Sequence, residues 1–280
     1  QKIYIVHASS RVPAWVGFLA TRLTKTPFVT SCHGYYSRHF FSYVMGWGKL
    51  VMVISQSIAG RMKNDFHVPE NKLRLVYRGL DLSKYRYDTG KYEGEKKPYI
   101  VMNVGRLSPI KGHYEFITAM RRVCDQVEAE AWIVGGVPEG KEKYFEKLKG
   151  LTKKLRLEKH VKFLGYQGDI PKLLGNADCL VLSSNIPEGF GRTIIEAGAT
   201  GTVVCASRAG AIPEIIEDSV SGLLFTPNNS LEIADSIVRM LKDKELAKKC
   251  AKDLRKKVEQ NFTLENMTRQ TLAVYEEALK

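Results

Sequence analysis

Short apolar runs alternate with amphipathic stretches along most of this chain, and that alternation predicts an α/β protein. Residues 3–6, 28–30, 50–54 and 73–76 are rich in Val, Ile, Leu and Phe and have strand length, while 13–23 and 55–64 read as helices, with Ser55 placed to cap the second. Residues 88–98 are polar, contain Gly90 and Gly94 together with adjacent lysines, and predict a linker. Beyond it, apolar runs at 99–104, 131–134, 161–163, 179–182, 203–206 and 222–225 alternate with helical segments, which is the pattern of a doubly wound parallel sheet. Two domains follow, 1–95 and 96–280. The charge-rich stretch 141–159 reads as a solvated helix, because Glu142, Glu146 and Glu158 intersperse its lysines and Leu148, Leu151 and Leu155 supply an apolar stripe.

Candidate chemistry concentrates in Pro187-Glu188-Gly189-Phe190-Gly191-Arg192-Thr193-Ile194-Ile195-Glu196-Ala197. Glycines on both sides of Phe190 allow a tight turn that presents peptide N–H groups, and the run after Gly191 reads as a helix. Gly191, Arg192 and Thr193 then form a helix start suited to a phosphate, with Arg192 adding a cation. Glu188 and Glu196 lie eight residues apart and on one continuous helix would point about 80° from each other, so they need not share a role. Glu188 on its loop suits a sugar hydroxyl or a developing positive charge, and Glu196 suits ribose hydroxyls. Arg106 and Lys111 follow a strand and can converge outside its carboxyl end, where two cations match a diphosphate.

Composition narrows the class. Five cysteines with no C-x-x-C spacing indicate neither a disulfide framework nor a zinc site, and point to reducing cytosol. Neither a leader peptide nor an apolar run of spanning length is evident. The net charge of +13 is uneven: before Asp65 there is no acidic residue, against eight Lys and Arg. That opening region calls for an anionic partner. Its interleaving of Arg38, Phe40, Phe41, Tyr43, Trp47 and Lys49 suits an anionic membrane or a phosphorylated lipid; the alternative is aromatics buried in a core with lysines solvated around it. Nucleic acid is set aside, since no helix-turn-helix, zinc or RNP-like pattern occurs.

Five elements in order make the chain resemble the retaining glycosyltransferases of family 4, which have the GT-B architecture of two Rossmann-like domains with parallel sheets. They are Arg78-Gly79-Leu80-Asp81, in the slot of a usual N-G-[VI]-D; Asn103 to Gly112, similar to a G-R-L…K-G element; Val161 to Tyr166; Ala177 to Ser184; and the Glu188-x7-Glu196 signature. Gly210-Ala211-Ile212-Pro213-Glu214 resembles a further G-x-x-E turn, whose alternative role is helix capping. The chain opens at what resembles a later strand of the first domain, so the resemblance implies that this domain is partial, and that the last helix, about 264–280, returns toward it.

The resemblance implies a nucleotide-diphosphate sugar as donor, a UDP-sugar in the first instance, with no cofactor. Catalytic roles fall on His33, Glu188, Arg106 and Lys111, and donor binding on Gly105, Tyr166, Phe190, Gly191, Arg192, Thr193 and Glu196. His33 resembles a histidine that contacts the transferred sugar; read alone, it would be a structural hydrogen-bonder. Tyr166, with Gln167, would meet the base, or else be a buried aromatic. No Asp-x-Asp triplet occurs, so no metal is implied, and the cations and the helix start must match the diphosphate charge. The implied activity is hexosyl transfer with retention to a glycan or lipid-linked acceptor, in surface polysaccharide or lipopolysaccharide synthesis, by a cytoplasmic protein peripheral at the inner face of the membrane. The alternative is a noncatalytic sugar-nucleotide or glycan-binding fragment.

Overall fold

A computed structural model describes residues 2–88, 90–94 and 97–280. The chain divides into two compact units: Gln1–Leu80 with Glu188–Phe190 and Asn261–Lys280, and Asp81–Pro187 with Gly191–Gln260.

The first unit carries β1 (Val6–Ala8), α1 (Arg11–Thr24), β2 (Phe28–Cys32), β3 (Leu50–Val53), α2 (Gln56–Phe66) and β4 (Leu73–Leu75). Its four strands form one parallel sheet in sequential order. All five residues of β2 and all four of β3 are buried, as expected of parallel strands covered on both faces. Ser55 caps α2, its side chain accepting from Ile58 N. The first strand is a correction. Expected at 3–6, it starts at Val6, because pairing begins where Val6 meets Phe28 in β2, and Ile3 and Tyr4 lie exposed before it.

The second unit continues with β5 (Tyr99–Val104), α3 (His113–Cys124), β6 (Ala129–Val134), α4 (Glu142–Lys154), β7 (Val161–Gly165), α5 (Ile170–Asn176), β8 (Cys179–Leu182), α6 (Arg192–Thr200), β9 (Val203–Ser207), α7 (Ile212–Ile215), β10 (Leu223–Phe225) and α8 (Ser230–Lys242). Its six strands are parallel in the order β10-β9-β8-β5-β6-β7, so the winding reverses between β5 and β8. Phe116, Ile117 and Met120 of α3, Ile233 and Ile237 of α8, and Val101 and Val181 of the central strands share its core. Leu148 and Leu151 are buried on α4, and Leu155 just beyond it is partly buried, while the lysines face out, as the charge pattern predicts.

Helix α9 (Lys244–Asn261) ends the second unit, and α10 (Leu264–Leu279) belongs to the first, where Val274 and Ala278 pack on Val29, Leu50, Met52 and Val76. Among the described residues no helix is long and apolar enough to cross a membrane.

The division falls at Leu80/Asp81, earlier than the boundary expected at 95/96. Composition makes 88–98 look like a free linker, but its described part is strapped to the second unit. Lys91 Nζ donates to Leu174 O and Thr202 Oγ1, and the buried Tyr92 hydroxyl donates toward Asp178 O and accepts from Val203 N. Thr89, Glu95 and Lys96 of the expected linker lie outside the described residues.

Candidate active site

In open α/β sheets a ligand sits outside the carboxyl ends of the strands where the winding reverses. In the second unit that place is flanked by the loop after β5, residues 105–112, and the loop after β8. Gly105 and Arg106 open the first loop, and Lys111 closes it in a single 3-10 turn, Pro109–Lys111. The second loop holds the first. Ser183 Oγ lies 2.9 Å from Lys111 O and 3.0 Å from Gly112 O, and Asn185 bonds Ile110 O through its backbone N–H and Pro109 O through its side-chain amide. Asn103 Nδ2 ties Ser183 Oγ back to the sheet at 2.9 Å. Gly112 has φ +67°, and a Cβ there would lie 1.8 Å from Ser183 O, so this crossing of backbones requires glycine.

Beneath the loop lies His113, fully buried, its ring facing the backbone of Ser108 and Gly105. Burial pushes its pKa down to about 4, so it is a neutral wedge near pH 7. Neither His113 nor Asn185 carries a local signal that would have marked it in the sequence. Ser183 does, since it stands in the matched strand that runs into the signature.

The other sequence-derived residues of this unit divide. Arg106 is exposed, and the stem of Lys111 lies along Gly105. Tyr166 follows β7 and stands 83% exposed, which removes its reading as a buried aromatic, while Gln167 commits its amide to Leu164 O. Helix α6 begins after Gly191, at φ +104°, with no side-chain cap, so the N–H groups of Arg192 and Thr193 head the helix without a capping oxygen. Arg192 turns along the helix to Glu196, Nε to Oε1 at 2.9 Å, and Tyr85 donates to the same oxygen at 3.4 Å. Glu196 is buried; burial raises its pKa, with Arg192 and Tyr85 opposing. Tyr85 was not foreseen, since nothing local ties it to a helix more than 100 residues later.

Glu188 to Phe190 belong to the first unit. Ser55 Oγ donates to Gly189 O at 2.8 Å, and a Cβ on Gly189 would lie 3.3 Å from His33 O, so this turn packs directly on the end of β2. The Phe190 ring is buried against Tyr77 and Phe262, where it anchors the turn. His33 opens onto a cavity of this unit, and its pKa is lowered to about 4 by burial, with the Arg78 and His7 charges adding. His7 is held by Tyr275, Nδ1 to Oη at 2.7 Å, and by Ser31, Nε2 to Oγ at 2.6 Å. Glu214 lies in the first turn of α7, after Pro213.

Residues 88–257 match the family of glycosyl transferases group 1, and residues 1–84 match glycosyltransferase family 4. The chain belongs to the group 1 glycosyl transferases. It is 29% identical over 205 residues to an N-acetyl-alpha-D-glucosaminyl L-malate synthase of Bacillus anthracis, covering 73% of this chain and 51% of that protein. A glycosyltransferase from Rickettsia africae superposes with a TM-score of 0.88 at 28% identity, over 99% of this chain and 77% of that one. HepE of Anabaena, in complex with UDP and glucose, gives 0.88 and 28% over 98% and 77%. These neighbours fix the architecture as GT-B, with parts of both of its domains present in the chain, which spans about half of the first relative's length.

Proposed function

We propose that this chain is the greater part of a retaining glycosyltransferase that moves a hexosyl group from a UDP-sugar to a glycan or lipid-linked acceptor in surface polysaccharide or lipopolysaccharide synthesis. The observation that carries the reading is the site at the switch point of the second sheet. There a backbone-locked loop bears Arg106 and Lys111, while α6 begins without a capping side chain and carries a buried carboxylate one turn in. The loop and the helix start match a diphosphate, and Glu196 matches ribose hydroxyls. HepE, a neighbour of this fold, was solved with UDP and with UDP-glucose.

In the step we favour, the bond between the anomeric carbon and the diphosphate oxygen breaks, and the electron pair leaves with UDP. The acceptor hydroxyl attacks from the same face and passes its proton to the departing phosphate oxygen. Arg106, Lys111 and the α6 amides stabilise the leaving charge, a contribution of about 3 to 4 kcal/mol for one well-aimed donor, and His33 and Glu188 serve the sugar. No cofactor or metal enters this scheme, since the sequence carries no Asp-x-Asp triplet. The enzyme works in the cytosol, with the basic, aromatic face of its first unit against anionic lipid.

Thermal shift and hydrolysis measured together on a panel of UDP-, GDP- and ADP-sugars test this. Stabilisation and slow hydrolysis by UDP-sugars support it; stabilisation without hydrolysis or transfer, even in a chain extended at its amino terminus, would favour the noncatalytic reading, and no response to any nucleotide would end both.

A further inference from the structure

Helix α1 turns its larger aliphatic side chains away from the protein. Ala14, Gly17 and Thr21 are buried, and a Cβ on Gly17 would meet Val6 and Phe28 of the first sheet, whereas Val12, Val16, Leu19 and Leu23 are between 59% and 88% exposed. At 100° per residue these four fall within about 60° of one another and point about 160° away from the buried three. A helix that meets only water carries polar residues on that face. One flank of the stripe is aromatic: Trp15 packs on Phe40, Phe41 and Trp47, and Phe18 packs on Trp47. Phe40 and Phe41 are themselves exposed, so the apolar surface runs from α1 on to the 3-10 turns at Phe40–Gly46. Cations border it. Arg11 and Arg22 lie on the helix, the first bonded to the His39 ring and the second over the Phe18 ring; Lys25 caps its end, and Arg38 precedes the aromatic turns. No acidic residue occurs before Asp65 to offset them.

A second copy of the chain is a poor occupant for this face. Pairing two such helices would set cation against cation, and one row of four aliphatic side chains falls well short of the about 800 Å² per partner of a stable interface. An anionic bilayer meets both halves of the surface, with phosphates for the cations and hydrocarbon for the stripe. We propose that α1 is an in-plane anchor, with Val12, Val16, Leu19 and Leu23 embedded about 5–10 Å into the boundary between headgroups and acyl chains. Arg11, Arg22, Lys25 and Arg38 reach back to the phosphates along their aliphatic stems, and Trp15 and Trp47 sit at the polar boundary. The inference rests on the lipid contact of the functional reading and adds the element that enters the membrane: the cations attract the chain, and the stripe retains it.

The test places an environment-sensitive fluorophore on single cysteines and adds phosphatidylcholine vesicles made with or without phosphatidylglycerol. Four of the five native cysteines are buried, and Cys124→Ser removes the fifth. Labels at Val16→Cys and Leu19→Cys should shift to the blue and be quenched by spin-labelled acyl chains when the vesicles are anionic. A label at Leu272→Cys, an exposed leucine of α10, should do neither. Leu19→Ser with Leu23→Ser should weaken vesicle binding by roughly tenfold or more, and Leu19→Phe with Leu23→Phe should preserve it. All these positions are exposed, and thermal melts establish that each variant is folded. Vesicle binding with no response from the α1 labels, or with affinity unchanged in the serine pair, would overturn the anchor while leaving the electrostatic lipid contact in place. No binding to either vesicle would overturn both. Equal responses at position 272 or in neutral vesicles would also overturn it, as would a dimer in solution that the serine pair abolishes, which would assign the stripe to a second copy. UDP affinity measured by calorimetry without vesicles reports on the glycosyltransferase reading separately, and should be the same in the serine and phenylalanine pairs.

Discussion

Arg192 Nε reaches Glu196 Oε1 at 2.9 Å across one turn of α6, and the carboxylate it holds is buried while the arginine itself is largely exposed. The pair therefore orients Glu196 more than it stabilises the fold, because an ion pair with one solvated partner contributes little. Glu196 has a folded pKa above its ordinary 4.5, chiefly from burial, so its contribution to stability is present below that value and is lost as pH rises through the folded pKa.

Glu196→Gln is accordingly expected to keep or raise the melting temperature at pH 7 while weakening UDP. A charge-assisted hydrogen bond is worth about 1.5 to 3 kcal/mol, which corresponds to roughly 10- to 100-fold in affinity. Calorimetric titration beside a thermal melt checks both halves; a variant that melts much lower yet binds UDP normally would reverse the assignment.

The loop after β5 offers a contrasting pair of glycines. Gly112→Ala places a Cβ within 1.8 Å of Ser183 O at a positive φ, whereas Gly105→Ala meets only the flexible stem of Lys111 at 3.4 Å. The first should cost about 1 to 3 kcal/mol or more, a fall in Tm of about 5 °C or greater, with loss of UDP binding. The second should leave Tm nearly unchanged, so that any effect appears in UDP affinity alone.

Acid should destabilise the protein through its buried histidines. The folded pKa of His33 is about 4 against an ordinary 6.5, so its contribution is present above pH 6.5 and is lost as pH falls from 6.5 toward 4. His113 follows the same window. Denaturant midpoints at pH 7.5 and pH 5 should therefore differ less in His33→Gln than in the unaltered chain, and an identical pH dependence would show that the ring is not neutral in the fold.

Lipid attachment makes a separate prediction. Phe40 and Phe41 are 67% and 63% exposed, which rules out burial for these two, and they stand beside Trp15, which in turn packs on Trp47, in a region with no acidic side chain before Asp65. Sedimentation with vesicles containing anionic lipid should show binding that fades with salt, since each nearby basic residue is worth about 1 kcal/mol. Phe40→Ser with Phe41→Ser should weaken it several-fold; equal binding to neutral vesicles, or no binding to either, would reject the attachment.

The sheets were legible because buried parallel strands are written as near-continuous apolar runs, and nine of the ten strands fall on the runs read from the sequence. The exception, β1, is an edge strand whose start is set by its partner's position. The loops around the switch point were legible as motifs, yet the use of individual side chains was not. Phe190 looks like a ligand contact because it sits between glycines; that its ring packs on Tyr77 and Phe262 depends on residues 113 positions earlier and 72 later. Tyr92 lies in a polar stretch whose composition says linker, Tyr85 lies just before it, and the partners of both are likewise distant.

Leu80 N donates to Phe262 O and Leu264 N donates to Leu80 O, beside the rings of Tyr77, Phe190 and Phe262. Every excursion of the polypeptide out of the first unit thus starts or ends close to one aromatic knot. Shuffling this gene with a relative's would need splice points near 80, 187, 190 and 260 to move the second unit intact. A single crossover after residue 80 would pair Tyr77 of one parent with Phe190 and Phe262 of the other, so the knot is the place where chimeras of this family succeed or fail.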